Sequence, residues 1–258
     1  MLTLDLSGKL ALVTGASGGL GRVMIRTLAD CGADVVVHYA HNQAMAGQLV
    51  REVRAKGRQA LAVQADITDP AAVQAMQARV AREARDPDIV VTNAVIQIFP
   101  WKPVLDEGLD SYESQFRSCV MQNVLMAKAF VPAMVRRGWG RVIGINTECT
   151  TQYAPGQSAY TSGKGGMDRL LRVLAKEVGP SGITVNQIAP GWMLTDRDRT
   201  AGPADPTEPK GYTEHVPLRR RGADQEIANL AAFLASDLAG FITGAFIPVN
   251  GGNTMVAI

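Results

Sequence analysis

The chain is poor in the residues that build metal and disulfide sites. Its three cysteines, Cys31, Cys119 and Cys149, are odd in number, far apart and form no C-x-x-C pair, so neither a disulfide framework nor a thiolate metal cluster is expected. The three histidines, His38, His41 and His215, make no ligand spacing either, and no metal is expected. Charge of one sign is also lacking. The formal net charge is +2, and no segment interleaves lysine and arginine with aromatics, which argues against a nucleic-acid partner. No run approaches the roughly eighteen consecutive apolar residues of a spanning helix. The opening MLTLDLSGKL lacks a basic flank followed by an apolar segment, so no membrane association is expected and a cytoplasmic location is the default.

What is present suits a soluble α/β fold. The 258 residues are 47% hydrophobic and 19% charged, with 26 glycines, enough apolar material for a sizeable core. Apolar, β-branched runs alternate with stretches of helical period: KLALVTG, DVVVHY, QALAVQAD, DIVVTNA, GRVIGIN, GITVNQIAP and GAFIPVN read as strands. Helices are expected near 19–31, 43–56, 70–85, 112–137, 158–178 and 224–236. Strands apolar on both faces belong in a parallel sheet covered by helices on each side. No linker, repeat or low-complexity tract divides the chain, so 1–258 is expected to be one domain. The turn-rich stretch TDRDRTAGPADPTEPKGYTEH at 195–215 interrupts the alternation and reads as a mobile substrate loop.

Two motifs carry chemistry. TGASGGLG, at 14–21, follows the first strand and opens a helix. Gly15, Gly19 and Gly21 would permit a tight turn, close approach to a pyrophosphate and close helix packing. Asp66, ending the third strand, suits an adenine amino group or equally a helix cap. Tyr160 and Lys164 stand at i and i+4 in an expected helix, so their side chains share a face. A nearby ammonium would favour the phenolate, lower the tyrosine pKa and make it a workable acid-base group.

In their order and spacing, TGASGGLG, Asp66 in ADITD, TNA at 92–94, YTSGK at 160–164, PGWMLT at 190–195 and VNGG at 249–252 resemble the short-chain dehydrogenase/reductase family over nearly the whole chain. The pattern resembles its 3-oxoacyl-carrier-protein-reductase-like and glucose-dehydrogenase-like members. The resemblance implies a Rossmann-type, doubly wound parallel sheet of about seven strands, a homotetramer or homodimer, and hydride transfer between a nicotinamide and a carbonyl or secondary alcohol. It further implies that Tyr160, Lys164 and Thr147 are catalytic. Cofactor contacts are implied for Gly15, Ser17, Gly19, Leu20, Gly21, Tyr39, His41, Asn42, Asp66, Ile67, Asn93, Ala94, Tyr160, Lys164, Pro190, Gly191 and Thr195.

Several positions depart from the family pattern. Val95 stands where a glycine is usual. Counting back from Lys128, the usual catalytic asparagine is Cys119, with Asn123 one turn later, and a thiol is a poor substitute donor. Thr147, thirteen residues before Tyr160, replaces the usual serine: it keeps the hydroxyl on a stiffer, bulkier stem. Tyr39 stands where a carboxylate would select NAD, leaving His41 and Asn42 to meet a 2′-phosphate. NADP is therefore favoured over NAD, although Gly18 sits where NADP-using relatives often have arginine. Gln97, Trp101, Glu148, Gln152 and Trp192 are expected to line a polar, partly anionic substrate pocket, with Tyr153 at best a wall. The basic run LRRRG at 218–222 reads as a solvated turn. Two other readings stay open: a cofactor-binding sensor or partner subunit that has lost catalysis, and a dehydratase or imine reductase on the same fold.

Overall fold

The computed structural model describes residues 3–96, 100–194 and 211–255. Seven parallel strands form the central sheet: β1 (Leu10–Val13), β2 (Asp34–Tyr39), β3 (Ala60–Gln64), β4 (Ile89–Thr92), β5 (Gly140–Ile145), β6 (Ile183–Pro190) and, last in the chain, β9 (Phe246–Val249). Their order is β3-β2-β1-β4-β5-β6-β9. Two short strands, β7 (Met193–Leu194) and β8 (Gly222–Ala223), pair separately.

Period-2 alternation sorts the strand side chains into two cores. Ala11, Val13, Val35 and Val37 face α1 (Gly19–Asp30), α2 (Gln43–Ala55) and a late helix over Asp224–Ala235. Leu10, Leu12 and Val36 face α3 (Pro70–Glu83) and the helices over Gln122–Arg137 and Ser158–Val178. Because both faces are covered, every residue of β1, β4 and β5 is buried. Local signals fix the helix starts. Asp69 caps α3 with Pro70 in its first turn, and the Asn42 side chain accepts from Met45 N at 3.0 Å at the head of α2.

The strand and helix expectations hold to within a few residues, with one informative difference. The helix expected from 112 runs from Leu109 to Arg137 as α4 (Leu109–Gln115), a π-helical segment (Phe116–Met121) and α5 (Gln122–Arg137). By length and composition this helix could cross a membrane, but half of its apolar window is buried, including Met126, Phe130 and Met134, as in a core helix. A π turn frees carbonyls from the i→i−4 ladder. Here the side chains of Gln122 and Asn123 take them: Gln122 Nε2 donates to Ser118 O, and Asn123 Nδ2 donates to Cys119 O at 2.7 Å. Short helices α6 (Cys149–Gln152) and α8 (Tyr212–His215) flank α7 (Ser158–Val178) and precede α9 (Asp224–Ala235).

Strand order reverses between β1 and β4, so their carboxyl ends diverge and open a crevice. The motifs named from the sequence converge there.

Candidate active site

The turn after β1 is shaped by what glycine leaves out. Gly15 has φ +63, and an added Cβ would lie 3.0 Å from Ala94 Cα. A Cβ at Gly21 would fall on Gly15 O and 2.8 Å from Ala16 Cα, whereas one at Gly19 would meet nothing. No side chain caps α1 at Gly18, so its first-turn N–H groups are left to an anion.

Beside the turn lies a cavity of about 720 Å³, bounded by Gly15, His38, His41, Asp66, Ile67, Ala94 and Ser118. The buried Ser118 hydroxyl is on its wall, beside the Cys119 thiol. Size, glycine approach and open helix end fit a dinucleotide, with Gly15, Asp66, Ile67 and Ala94 as the holding residues.

Not every expected contact reaches this cavity. Tyr39 is buried in the core against α1 and α2, and Asn42 spends its amide oxygen capping α2. Asn93 ties β4 to β1, its Nδ2 donating to Thr14 O at 2.9 Å. Val95 is on the cavity wall. Among described non-glycine residues only Tyr153 and Arg219 have positive φ, so the backbone at Val95 makes no demand for glycine. Asp66 accepts from Thr68 N (2.8 Å) and Thr68 Oγ1 (2.7 Å), bonds that hold its pKa below the ordinary value and keep it ionised. The cap of α3 is Asp69 instead. Gln97 and Thr195 lie outside the described residues, as does most of 195–215.

At the far end of the crevice, β5 delivers Thr147 and α7 delivers Tyr160 and Lys164. Lys164 is buried, its Nζ donating to Ile145 O at 2.6 Å and lying 6.0 Å from the Tyr160 ring centroid. Thr147, also buried, accepts from Cys149 N at 3.2 Å, and its hydroxyl bonds the Tyr160 hydroxyl. The charge effect differs from the sequence expectation. Burial pushes the Tyr160 pKa up, and the nearby thiols Cys149 and Cys119 push it further, while the Thr147 hydrogen bond pulls it down. Burial also pulls the Lys164 pKa down, so the pair is desolvated together and the phenol stays protonated.

The thiol at the usual asparagine place is fully buried. Cys119 Sγ contacts Gln115 Oε1 at 3.6 Å and interacts electrostatically with Lys164. Asn123 is fully engaged elsewhere, accepting from Thr92 Oγ1 at 2.7 Å while donating to Cys119 O.

Glu148 is not an anionic wall. Its carboxylate is 3% exposed and accepts from Tyr212 OH (2.8 Å) and Asn253 Nδ2 (3.0 Å). Tyr212 OH in turn accepts from Trp192 N at 2.8 Å. This knot seats the turn after β6, where a Cβ at Gly191 would lie 2.9 Å from both Asn250 Cα and Tyr212 OH. Trp192 packs edge-on against Trp101 with ring centroids 6.2 Å apart, while Gln152 and Tyr153 are exposed. In the basic turn, Arg220 pairs with Glu226 at 2.6 Å and holds its carboxyl down to about 2, and Arg221 donates to Met193 O at 2.7 Å. Leu218, Arg219 and Arg220 are exposed, so the turn is solvated as expected, with Arg221 buried as its tether.

His38 was not anticipated as a site residue. It is 1% exposed between Gly15 N and Ala65 O. A lone polar residue within the apolar run DVVVHY was the available signal, since a buried imidazole requires partners.

Comparison with known proteins agrees with this layout. Residues 15–254 match the family model described as Enoyl-(Acyl carrier protein) reductase. The chain is 35% identical over 248 residues to an L-rhamnose 1-dehydrogenase (NAD(P)(+)) from Sphingomonas sp. (strain SKA58), covering 96% of each chain. It is 36% identical over 263 residues to the 3-oxoacyl-acyl-carrier-protein reductase FabG of Escherichia coli (strain K12), covering 98% of this chain and 100% of that one. Among solved structures, a 7α-hydroxysteroid dehydrogenase complexed with NADH and 7-oxo glycochenodeoxycholic acid superposes with a TM-score of 0.89 at 31% identity, covering 98% and 97%. The protein is thus a member of the short-chain dehydrogenase/reductase family, an oxidoreductase of alcohol and carbonyl groups that works with NAD(P).

Proposed function

We propose that Tyr160 is the general acid-base of this oxidoreductase, that Thr147 aligns the substrate oxygen, and that Lys164 supports the tyrosine from beneath. The supporting observation is the hydroxyl pair Thr147–Tyr160 above the buried Lys164 ammonium. Two hydroxyls converging on one point give a carbonyl oxygen two donors, which stabilise the charge developing there in reduction. A phenol held protonated by burial is set to give its proton to that oxygen. The bound dinucleotide supplies or receives the hydride; the chain's part is placement.

The dinucleotide would sit with its adenosine by Asp66 and Ile67 and its nicotinamide end toward Pro190 and Gly191. NADP is the preferred form, because Ala40 and His41, not a carboxylate, meet the cavity beyond β2. The substrate is a small carbonyl or secondary alcohol flanked by the Trp101–Trp192 pair, with Glu148's charge withdrawn from the wall. The chain 1–258 is one domain and works in the cytoplasm as a homo-oligomer. Leu105 (96%), Leu109 (80%) and Phe241 (fully exposed) offer apolar surface for subunit contacts.

Replacing Tyr160 by Phe tests this reading. Turnover of an accepted carbonyl is expected to fall by about 10²-fold or more, with dinucleotide binding retained; unchanged turnover would overturn it. A second reading, cofactor binding without turnover, draws on Cys119 in the asparagine position. It predicts that the wild type binds NADP or NAD but turns over nothing on a broad carbonyl and polyol panel.

A further inference from the structure

We propose that His38 is a positioning residue for the dinucleotide, a neutral imidazole that clamps the glycine-rich turn to the end of β3 and so fixes the floor of the cofactor cavity. The inference rests on the dinucleotide occupying the cavity between Gly15 and Asp66.

The proton is located by its neighbours. Gly15 N–H has only a proton to give, and His38 Nδ1 lies 3.0 Å from it. Ala65 O only accepts, and His38 Nε2 lies 3.1 Å from it. Nδ1 is therefore the bare nitrogen and Nε2 carries the hydrogen. The main chain of the same residue adds a third tie, as Ala16 N donates to His38 O at 2.8 Å. Two successive N–H groups of the turn thus end on one residue, one on its ring and one on its carbonyl. They are thereby turned away from the cavity, leaving the N–H groups of the α1 first turn for phosphate.

The imidazole is itself on the cavity wall together with Gly15, Ala65 and Asp66. It is the strut across the three strand ends that an adenosine would span. An aliphatic residue there would remove the ring partners of Gly15 N–H and Ala65 O.

The same geometry makes the strut sensitive to acid. A second proton, on Nδ1, would place two donors face to face at Gly15. The charged group acting on His38 is Asp66, beyond Ala65, which also interacts with His41; the β1 turn presents only Gly15 main chain. Asp66 favours protonation, yet burial outweighs it and holds the His38 pKa below its ordinary value of 6.5. The neutral strut is therefore intact at neutral pH and is lost as pH falls through that lowered value.

Direct titration of NAD and NADP into the folded, full-length protein tests this without requiring a substrate. His38→Leu is expected to weaken dinucleotide binding on the order of 10-fold, the equivalent of about 1.4 kcal/mol. His38→Asn keeps one acceptor and one donor and should bind nearly as the wild type at neutral pH. As the pH is lowered, wild-type affinity should fall more steeply than that of His38→Asn, a difference that cancels titration of the 2′-phosphate. If His38→Leu melts earlier but binds as tightly as the wild type, the residue serves packing only and the proposal fails. Should His38→Leu not fold, the comparison with His38→Asn decides: coincident pH profiles overturn the proposal. Absence of binding by the wild type would overturn it together with the reading of the cavity.

Discussion

Glu148 offers the sharpest test of how the substrate side is assembled. Truncation by Glu148→Ala removes the acceptor of Tyr212 OH (2.8 Å) and of Asn253 Nδ2 (3.0 Å) in a place only 3% exposed. Each donor left buried without a partner costs about 1–3 kcal/mol, so the pair loses about 2–6 kcal/mol. At about 2–4 °C per kcal/mol for a chain of this size, the melting temperature should drop on the order of 10 °C. Tyr212→Phe should lose part of the same free energy, and the double variant should lose less than the sum, since both act on one network.

The pH dependence has a definite sign. Burial outweighs the hydrogen bonds from Asn253 and Tyr212 and raises the Glu148 pKa above the ordinary value of 4.5. A native carboxyl that holds its proton longer than the unfolded one contributes stability that is full below the unfolded pKa and is lost as pH rises through the folded one. Glu148→Gln has the shape of the protonated acid and does not titrate. Thermal melts of wild type and Glu148→Gln over a pH series should therefore diverge with rising pH, the wild type losing ground. An Ala variant melting within about 2 °C of wild type, or parallel pH curves for wild type and Gln, would refute the reasoning.

Two further outcomes follow from the site geometry. Gly21→Ala would set a Cβ on Gly15 O and 2.8 Å from Ala16 Cα, both backbone atoms; the turn must shift, so dinucleotide binding measured by titration should weaken on the order of 10-fold while the circular dichroism spectrum is kept. Thr147→Ser keeps the hydroxyl and should retain turnover, whereas Thr147→Val keeps the shape, loses the bond to Tyr160 and should cut kcat by about 10²-fold; equal rates for Ser and Val would show that the hydroxyl does not act.

The sheet and its helices were legible because their signals are local and periodic. In β1 and β2 successive residues feed opposite cores, and the burial of Leu10, Ala11, Leu12 and Val13 repeats what the apolar run states. Caps at Asn42 and Asp69 are single-residue events with a side chain whose partner is two or three residues away. The crevice residues were legible by motif order. What escaped were ties between residues far apart in the chain. His38 meets Gly15 and Ala65, 23 and 27 residues away, and Glu148 meets Tyr212 and Asn253, 64 and 105 away. Nothing in the spacing of such residues shows whether a carboxylate faces a ligand or a neighbouring hydroxyl, since burial alone decides it.

The substitution at Cys119 shows how a small change of helical form decides between residues that counting leaves equal. On a regular helix, Cys119 and Asn123 are one turn apart on the same face, and either would point toward Lys164. The π segment Phe116–Met121 breaks that equivalence. It releases the Cys119 carbonyl, and the side chain four residues on is the nearest donor able to take it. Asn123 is therefore spent on mending the helix, with Thr92 Oγ1 donating to its oxygen. The group left facing the lysine is a thiol whose own pKa is raised by burial, so it stays neutral and is a weaker hydrogen-bond donor than an amide would be. Burial holds the Tyr160 phenol protonated, the state from which the proposed proton donation to a carbonyl starts.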